Sequence, residues 1–184
     1  KVHFRYAFLT MPYKEFPNIQ LIHEPPVHRP FSYRPPKTDL NIVYIDDDLL
    51  IVDKPSGLLS VPGKAETHKD SLELRLRGAY PEALLIHRLD MATSGIMVFA
   101  RNAAAQRHIG LQFEKRYTEK TYITRVSGYV IGDSGHINLP LMRDWPNRPK
   151  QHVDFKIGKS AQTDWEVLER EDIATRLALY PKTG

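Results

Sequence analysis

"LLIHRLDMATSGIMVFA", residues 84–100, decides how this chain folds. It begins as an apolar run, "LLIH" (84–87), and ends as another, "GIMVFA" (95–100), whose two faces are both apolar in the manner of a central strand. Residues 88–94 form the connection between them. A loop held between two buried strands is where a rigid scaffold presents reactive groups. His87, Arg88 and Asp90 therefore leave the core together, an imidazole, a guanidinium and a carboxylate on one short connection. The plain alternative is structural: Asp90 closes an Asx turn near Ala92, Thr93 caps that turn, and Arg88 makes a surface ion pair. For "HRLD" alone that alternative is the default.

Working outward, short β-rich runs precede this stretch: "NIVYI" (41–45), then "DDD", then "LLIVD" (49–53) and "KPSGLLSVPGK" (54–64), separated by turn chemistry. "KDSLELRLRG" (69–78) predicts a short helix with Asp70 as its cap, Glu73 completing a capping box, and Leu72 and Leu76 on one face. "NAAAQRHIGLQFEKR" (102–116) predicts a longer one, capped by Asn102, with Ala105, Ile109 and Phe113 spaced four apart. After it only strands are expected: "KTYITRVSG", "HINLPL", "QHVDFKI", "AQTDWEVLER" and "TRLALYP". Regular βαβ alternation, internal repeats and a glycine-rich phosphate loop are all missing. The expected fold is α+β, a mixed, largely antiparallel sheet with few flanking helices.

Residues 1–39 differ in kind. They hold seven of the fourteen prolines, mixed with aromatics, and read as an extended strap lying on the body, with the main domain at 40–184. The chain opens at Lys1 and stops just after a strand-like run, so both ends read as cut. The net charge of +4 is concentrated at the front: residues 1–39 carry six Lys/Arg against three Asp/Glu, leaving 20 against 19 for the rest. An anionic partner must therefore be sought in local patches. There is no cysteine, which excludes disulfides, thiolate metal sites and a cysteine nucleophile. No run has the apolar length of a membrane span, so a cytoplasmic protein with no membrane partner, monomeric by default, is the expectation.

The nine residues "HRLDMATSG" (87–95) resemble, across their whole length, the signature of the RluA family of pseudouridine synthases. "DKPSGLLSVPG" (53–63) is similar to the segment before that signature and "KTYITRVSG" (120–128) to the strand after it, while "DWPNRPKQ" (144–151) and "AQTDWEV" (161–167) resemble the RluA branch itself. The likeness runs in the family's order from about Pro35 to Gly184. It implies an isomerase acting on transfer RNA and large-subunit ribosomal RNA, with no metal and no organic cofactor. It further implies that Asp90 is the essential carboxylate, that Tyr122 stacks on the target base, and that Arg88 helps to hold the opened RNA. A C-terminal continuation beyond "KTG" is also implied, so that 40–184 is an incomplete catalytic domain.

Extruding a stacked uridine costs a few kcal/mol, and stacking and phosphate contacts must return it. Two basic clusters suit that need. Residues 101–125 include Arg101, Arg107, Lys115, Arg116, Lys120 and Arg125 against two acids, and residues 143–159 include Arg143, Arg148 and Lys150, with Trp145 placed to stack on a loop base. Taken singly, each cation reads as a solvated surface residue, and Tyr122 reads as a core strand tyrosine. His87, at the end of an apolar run, reads as a structural hydrogen-bonding histidine, and Trp165 as core. Two further classes compete: an inactive RNA-binding paralogue, and a glycosidic hydrolase, against which the single visible carboxylate weighs.

Overall fold

A computed structural model of the chain describes residues 32–146 and 150–183. The expected strap over residues 1–31 lies outside the described residues. Two compact units divide at Tyr117/Thr118.

The first unit contains β1 (Asn41–Ile45), β2 (Leu49–Lys54), α1 (Leu72–Ala79), β3 (Leu84–Leu85), β4 (Gly95–Ala100) and α2 (Ala103–Glu114). Its four strands pair antiparallel in the order β1-β2-β4-β3, which makes β4 an interior strand as its sequence predicts. The β1–β2 turn is built by Asp46, whose carboxylate accepts the Asp48 and Leu49 N–H groups at 2.9 and 2.7 Å. Along β2 the two-residue period sends Leu50, Val52 and Lys54 inward. The first two meet Met97 and Phe99 of β4 and Leu72 and Leu76 of α1 in one fully buried cluster. Each such side chain contributes roughly 1.5–3 kcal/mol. Ahead of β1, residues 32–40 have no regular structure but are tied down. The Tyr33 hydroxyl donates to the Asp70 carbonyl at 2.8 Å, and the Arg75 guanidinium donates to the Pro36 carbonyl at 2.8 Å.

Three expectations are corrected. Ser71, and not Asp70, caps α1 by accepting the Leu74 N–H. The Asp70 carboxylate is instead held by Arg75 at 2.7 and 2.8 Å, so it is committed to the helix's flank before it can cap its end. The run "LLIH" is a strand for only two residues, because the Val98 N–H that the next ladder position would use is taken at 3.0 Å by His87 Nε2. "QHVDFKI" is a strand only at Gln151–Val153; Asp154 then turns the chain by accepting the N–H groups of Lys156 and Ile157. The α2 expectations hold, with Asn102 accepting the Ala105 N–H at 2.9 Å. The helix ends in a Schellman arrangement, Tyr117 N–H to the Gln112 carbonyl and Arg116 N–H to the Phe113 carbonyl. This places Arg116 at φ 59, a left-handed slot where a non-glycine residue costs about 1 kcal/mol or more.

The second unit is one antiparallel sheet, β5-β9-β8-β6-β7, from β5 (Tyr122–Ser127), β6 (Ser134–Arg143), β7 (Gln151–Val153), β8 (Lys159–Arg170) and β9 (Ala174–Pro181). Trp165 is buried, as expected, and sits flat against Gly135 on the neighbouring strand. A Cβ at position 135 would lie 2.6 Å from the indole ring. Gly135→Ala is therefore expected to lower stability by about 1–3 kcal/mol through overpacking. Thermal melting checks this; a melting temperature equal to that of the parent chain would contradict the packing.

Candidate functional site

The connection out of β3 is held by its backbone. Four consecutive carbonyls, Leu89 to Ala92, each accept a hydrogen bond: Leu89 from the buried Ser60 hydroxyl, Asp90 from Thr93 N–H at 3.0 Å, Met91 from Gly57 N–H at 2.8 Å, and Ala92 from the Ser56 hydroxyl at 2.8 Å. Ser60 also accepts the Leu89 N–H at 3.1 Å. Apart from Thr93, every partner comes from the segment "KPSGLLS" (54–60), which therefore brackets the loop. Gly57 takes φ +88, a conformation that L side chains rarely adopt, in order to aim its N–H at Met91.

Lys54 completes the bracket and was not singled out from the sequence. Its side chain is fully buried, and its ammonium donates to the carbonyls of Pro55 (3.0 Å), Leu58 (2.7 Å) and Met91 (3.2 Å), one acceptor for each proton. Burial pushes its pKa down to about 8, and the Asp90 carboxylate opposes that shift. The signal that could have found it is parity: in "LLIVDK" it occupies the inward position after Leu50 and Val52.

The structural alternative for "HRLD" is not what the molecule does. The turn at Asp90 is closed by its main-chain carbonyl, which leaves the side chain out of the turn. Arg88 and Asp90 are exposed, and among the described residues neither side chain enters a hydrogen bond or ion pair. His87 is structural, accepting the Val98 N–H while its ring stacks on Phe113 at 4.5 Å and 18°. The site thus offers a carboxylate and a guanidinium on a rigid loop, with a buried ammonium behind it.

The remaining candidates fall into distinct settings. Arg101 is occupied: its guanidinium donates to Glu82 at 2.9 and 2.7 Å and to the Asp46 carbonyl, fastening the edge of the first sheet. Arg116 is exposed at the end of α2. In the second unit Tyr122 opens β5, half-buried, in a row running across four strands through Leu179 and Trp165 to Gly135. Arg143, Trp145 and Lys150 are brought together at the β6–β7 hairpin tip. The Arg143 guanidinium lies 5.0 Å from the Trp145 ring centre, and the Asp144 N–H reaches the Lys150 carbonyl at 3.0 Å. Arg148 lies outside the described residues. Among the described residues no cluster of His, Cys, Asp and Glu is arranged to hold a metal, and no helix is long and apolar enough to cross a membrane.

Comparison with known proteins points to one group. A family model described as RNA pseudouridylate synthase matches residues 48–184. The chain is 50% identical over 155 residues to the dual-specificity RNA pseudouridine synthase RluA of Escherichia coli K12, covering 83% of this chain and 71% of that protein. It is 51% identical over 144 residues to the protein of the same name from Yersinia pestis, covering 78% and 70%. Among solved structures, human RNA pseudouridylate synthase domain containing 1 superposes with a TM-score of 0.66 at 26% identity, covering 82% of this chain and 63% of that one.

The bracket predicts a pH signature. Lys54 has an ordinary value of 10.5 when unfolded and about 8 when folded, so between those values the unfolded chain binds the extra proton. Stability contributed at this position must then rise with pH across that window. Urea denaturation of the parent and Lys54→Met at about pH 7.5 and about pH 10 is expected to show the difference moving in favour of the parent at the higher pH. A constant difference would contradict the buried, proton-shedding lysine.

Proposed function

Because this chain belongs to the RNA pseudouridylate synthase family, we propose that it isomerises a uridine of structured RNA to pseudouridine, with Asp90 as the essential carboxylate. The observation that carries this reading is the state of Asp90. Its side chain is exposed and, among the described residues, makes no hydrogen bond or ion pair, on a backbone whose carbonyls from Leu89 to Ala92 are all engaged. A carboxylate held on an ordered loop and left out of turns and ion pairs is available to a substrate.

The reaction suits one carboxylate. The C1′–N1 bond breaks, the uracil rotates, and a C1′–C5 bond forms; C5 gives up a proton and N1 gains one, so the atoms balance with no oxidant and no second substrate. Asp90 acts as nucleophile or as base in this sequence. The bracket from 54–60 supplies the positioning, because a loop that must stay still at the reacting atoms cannot spend free energy ordering itself during the reaction. The Lys54 ammonium lies behind the loop as an electrostatic counterpart to the carboxylate.

A stacked uridine must leave its helix to reach this loop. Arg88, exposed two residues before Asp90, is assigned to hold the opened RNA, and Tyr122 to stack on the base. The hairpin tip carrying Arg143, Trp145 and Lys150 supplies phosphate and stacking contacts. The Escherichia coli relative is named a dual-specificity enzyme, and on that likeness the substrates assigned here are a transfer RNA anticodon stem-loop and a large-subunit ribosomal RNA stem-loop.

Pseudouridine formation on transcribed stem-loops of both kinds tests this. The parent protein is expected to convert uridine, and Asp90→Asn to lose at least about a thousandfold in rate while still binding RNA. Free uracil as the product would make the protein a hydrolase, and tight binding without any product would make it an RNA-binding protein.

A further inference from the structure

The basic cluster at 101–125 does not behave as one patch. Arg101 is consumed by Glu82, and Arg125 by a two-pronged pair with Glu171. What is left exposed in the first unit gathers on α2: Arg107, His108, Lys115 and Arg116, with Glu114 among them. None of these five enters an ion pair among the described residues.

Helical spacing aligns the group. Arg107, Leu111 and Lys115 are four apart and so lie on one face, and Arg107 to Lys115 spans about 12 Å of helix axis. A shallow groove lies along this face. Ala103, Gly110, with nothing near its Cβ position, and Leu111, 45% exposed, give it an apolar lining, with Gln106, Arg107 and the Glu114 carboxylate beside them. At the end of the helix Tyr117 is 73% exposed. Arg107 beside this apolar lining, with Lys115, Arg116 and an exposed ring at the helix end, matches a strand of nucleic acid, which presents phosphates and flat bases together.

Helix-end electrostatics explain part of this arrangement and leave part over. Lys115 and Arg116 sit at the negative end of the α2 dipole, where any cation is favoured. Arg107 is mid-helix and gains nothing there. Arg116 occupies the left-handed slot at φ 59, where glycine would complete the same hydrogen bonds without the backbone cost. The strain is borne by a residue whose exposed guanidinium is its remaining distinction.

We propose that the exposed face and C-terminal end of α2, through Arg107, Lys115 and Arg116, bind the sugar-phosphate backbone of the RNA substrate. This rests on the isomerase reading for the identity of the RNA. The contact is sequence-independent, adds affinity to any stem-loop that reaches it, and is sensitive to salt.

Stem-loop binding by the parent chain is compared with Arg107→Gln/Lys115→Gln/Arg116→Gly and with a control, Lys37→Gln/Lys64→Gln, which removes exposed charge elsewhere. Uridine conversion by the parent is followed separately, so that failure of the isomerase reading shows in that arm alone. The triple variant is expected to bind roughly tenfold to a hundredfold more weakly at about 0.1 M salt, with the slope of log affinity against log salt shallower by about 2. The control is expected to change the slope by less than about 0.5. Arg116→Gly alone, which relieves the backbone, should lose about 0.7 of slope without losing melting temperature, and so separates lost contact from lost fold. An unchanged slope in the triple variant, an equal change in the control, or a parent chain that binds no stem-loop would overturn the proposal.

Discussion

The ammonium of Lys54 is the point on which the Asp90 loop depends. A buried lysine costs the fold unless each of its protons has an acceptor, and here three main-chain carbonyls from two different segments supply them. Two acceptors belong to the turn after β2 and the third is Met91, next to Asp90. One side chain thereby ties the strand end to the loop that carries Asp90. Ser60 and Gly57 repeat the connection on either side, with Ser60 on Leu89 and Gly57 on Met91 again. The loop is ordered by main-chain contacts, which leaves the side chains of Arg88 and Asp90 exposed.

Much of this was legible in the residues, and the rest failed for identifiable reasons. The interior place of β4 followed from "GIMVFA", because apolar residues on both faces suit only a covered strand. Asn102 as the cap of α2 followed from local chemistry that nothing distant overrides. Asp70 failed as a cap because Arg75, five residues on, competes for the same carboxylate across the helix flank. The length of β3 was lost to a single imidazole, whose bond to Val98 N–H no propensity scale could anticipate. The Asp90 loop was legible as a pattern. Its rigidity was not, because it comes from partners some 30 residues away in sequence.

The basic clusters show the same division. Counting Lys and Arg along the chain found two patches, yet the count cannot see which cations are already paired. Glu82 and Glu171 remove Arg101 and Arg125 from one cluster. The hairpin tip keeps its members together through a turn and a cation–π contact. Charge becomes available to a ligand only after the fold has taken what it needs, and the exposed face of α2 and the β6–β7 tip are where such charge stands.

The most direct test of the bracketed loop is native-state hydrogen exchange at three amides: Gly57, which bonds to the Met91 carbonyl; Leu89, which bonds to Ser60; and Val98, which bonds to His87. If the loop is held as described, all three exchange as slowly as the paired amides of β2 and β4, opening only with the unit as a whole. Fast exchange at Gly57 and Leu89 while the strands stay protected would mean that the loop moves freely, and that Asp90 is not pre-positioned by the fold.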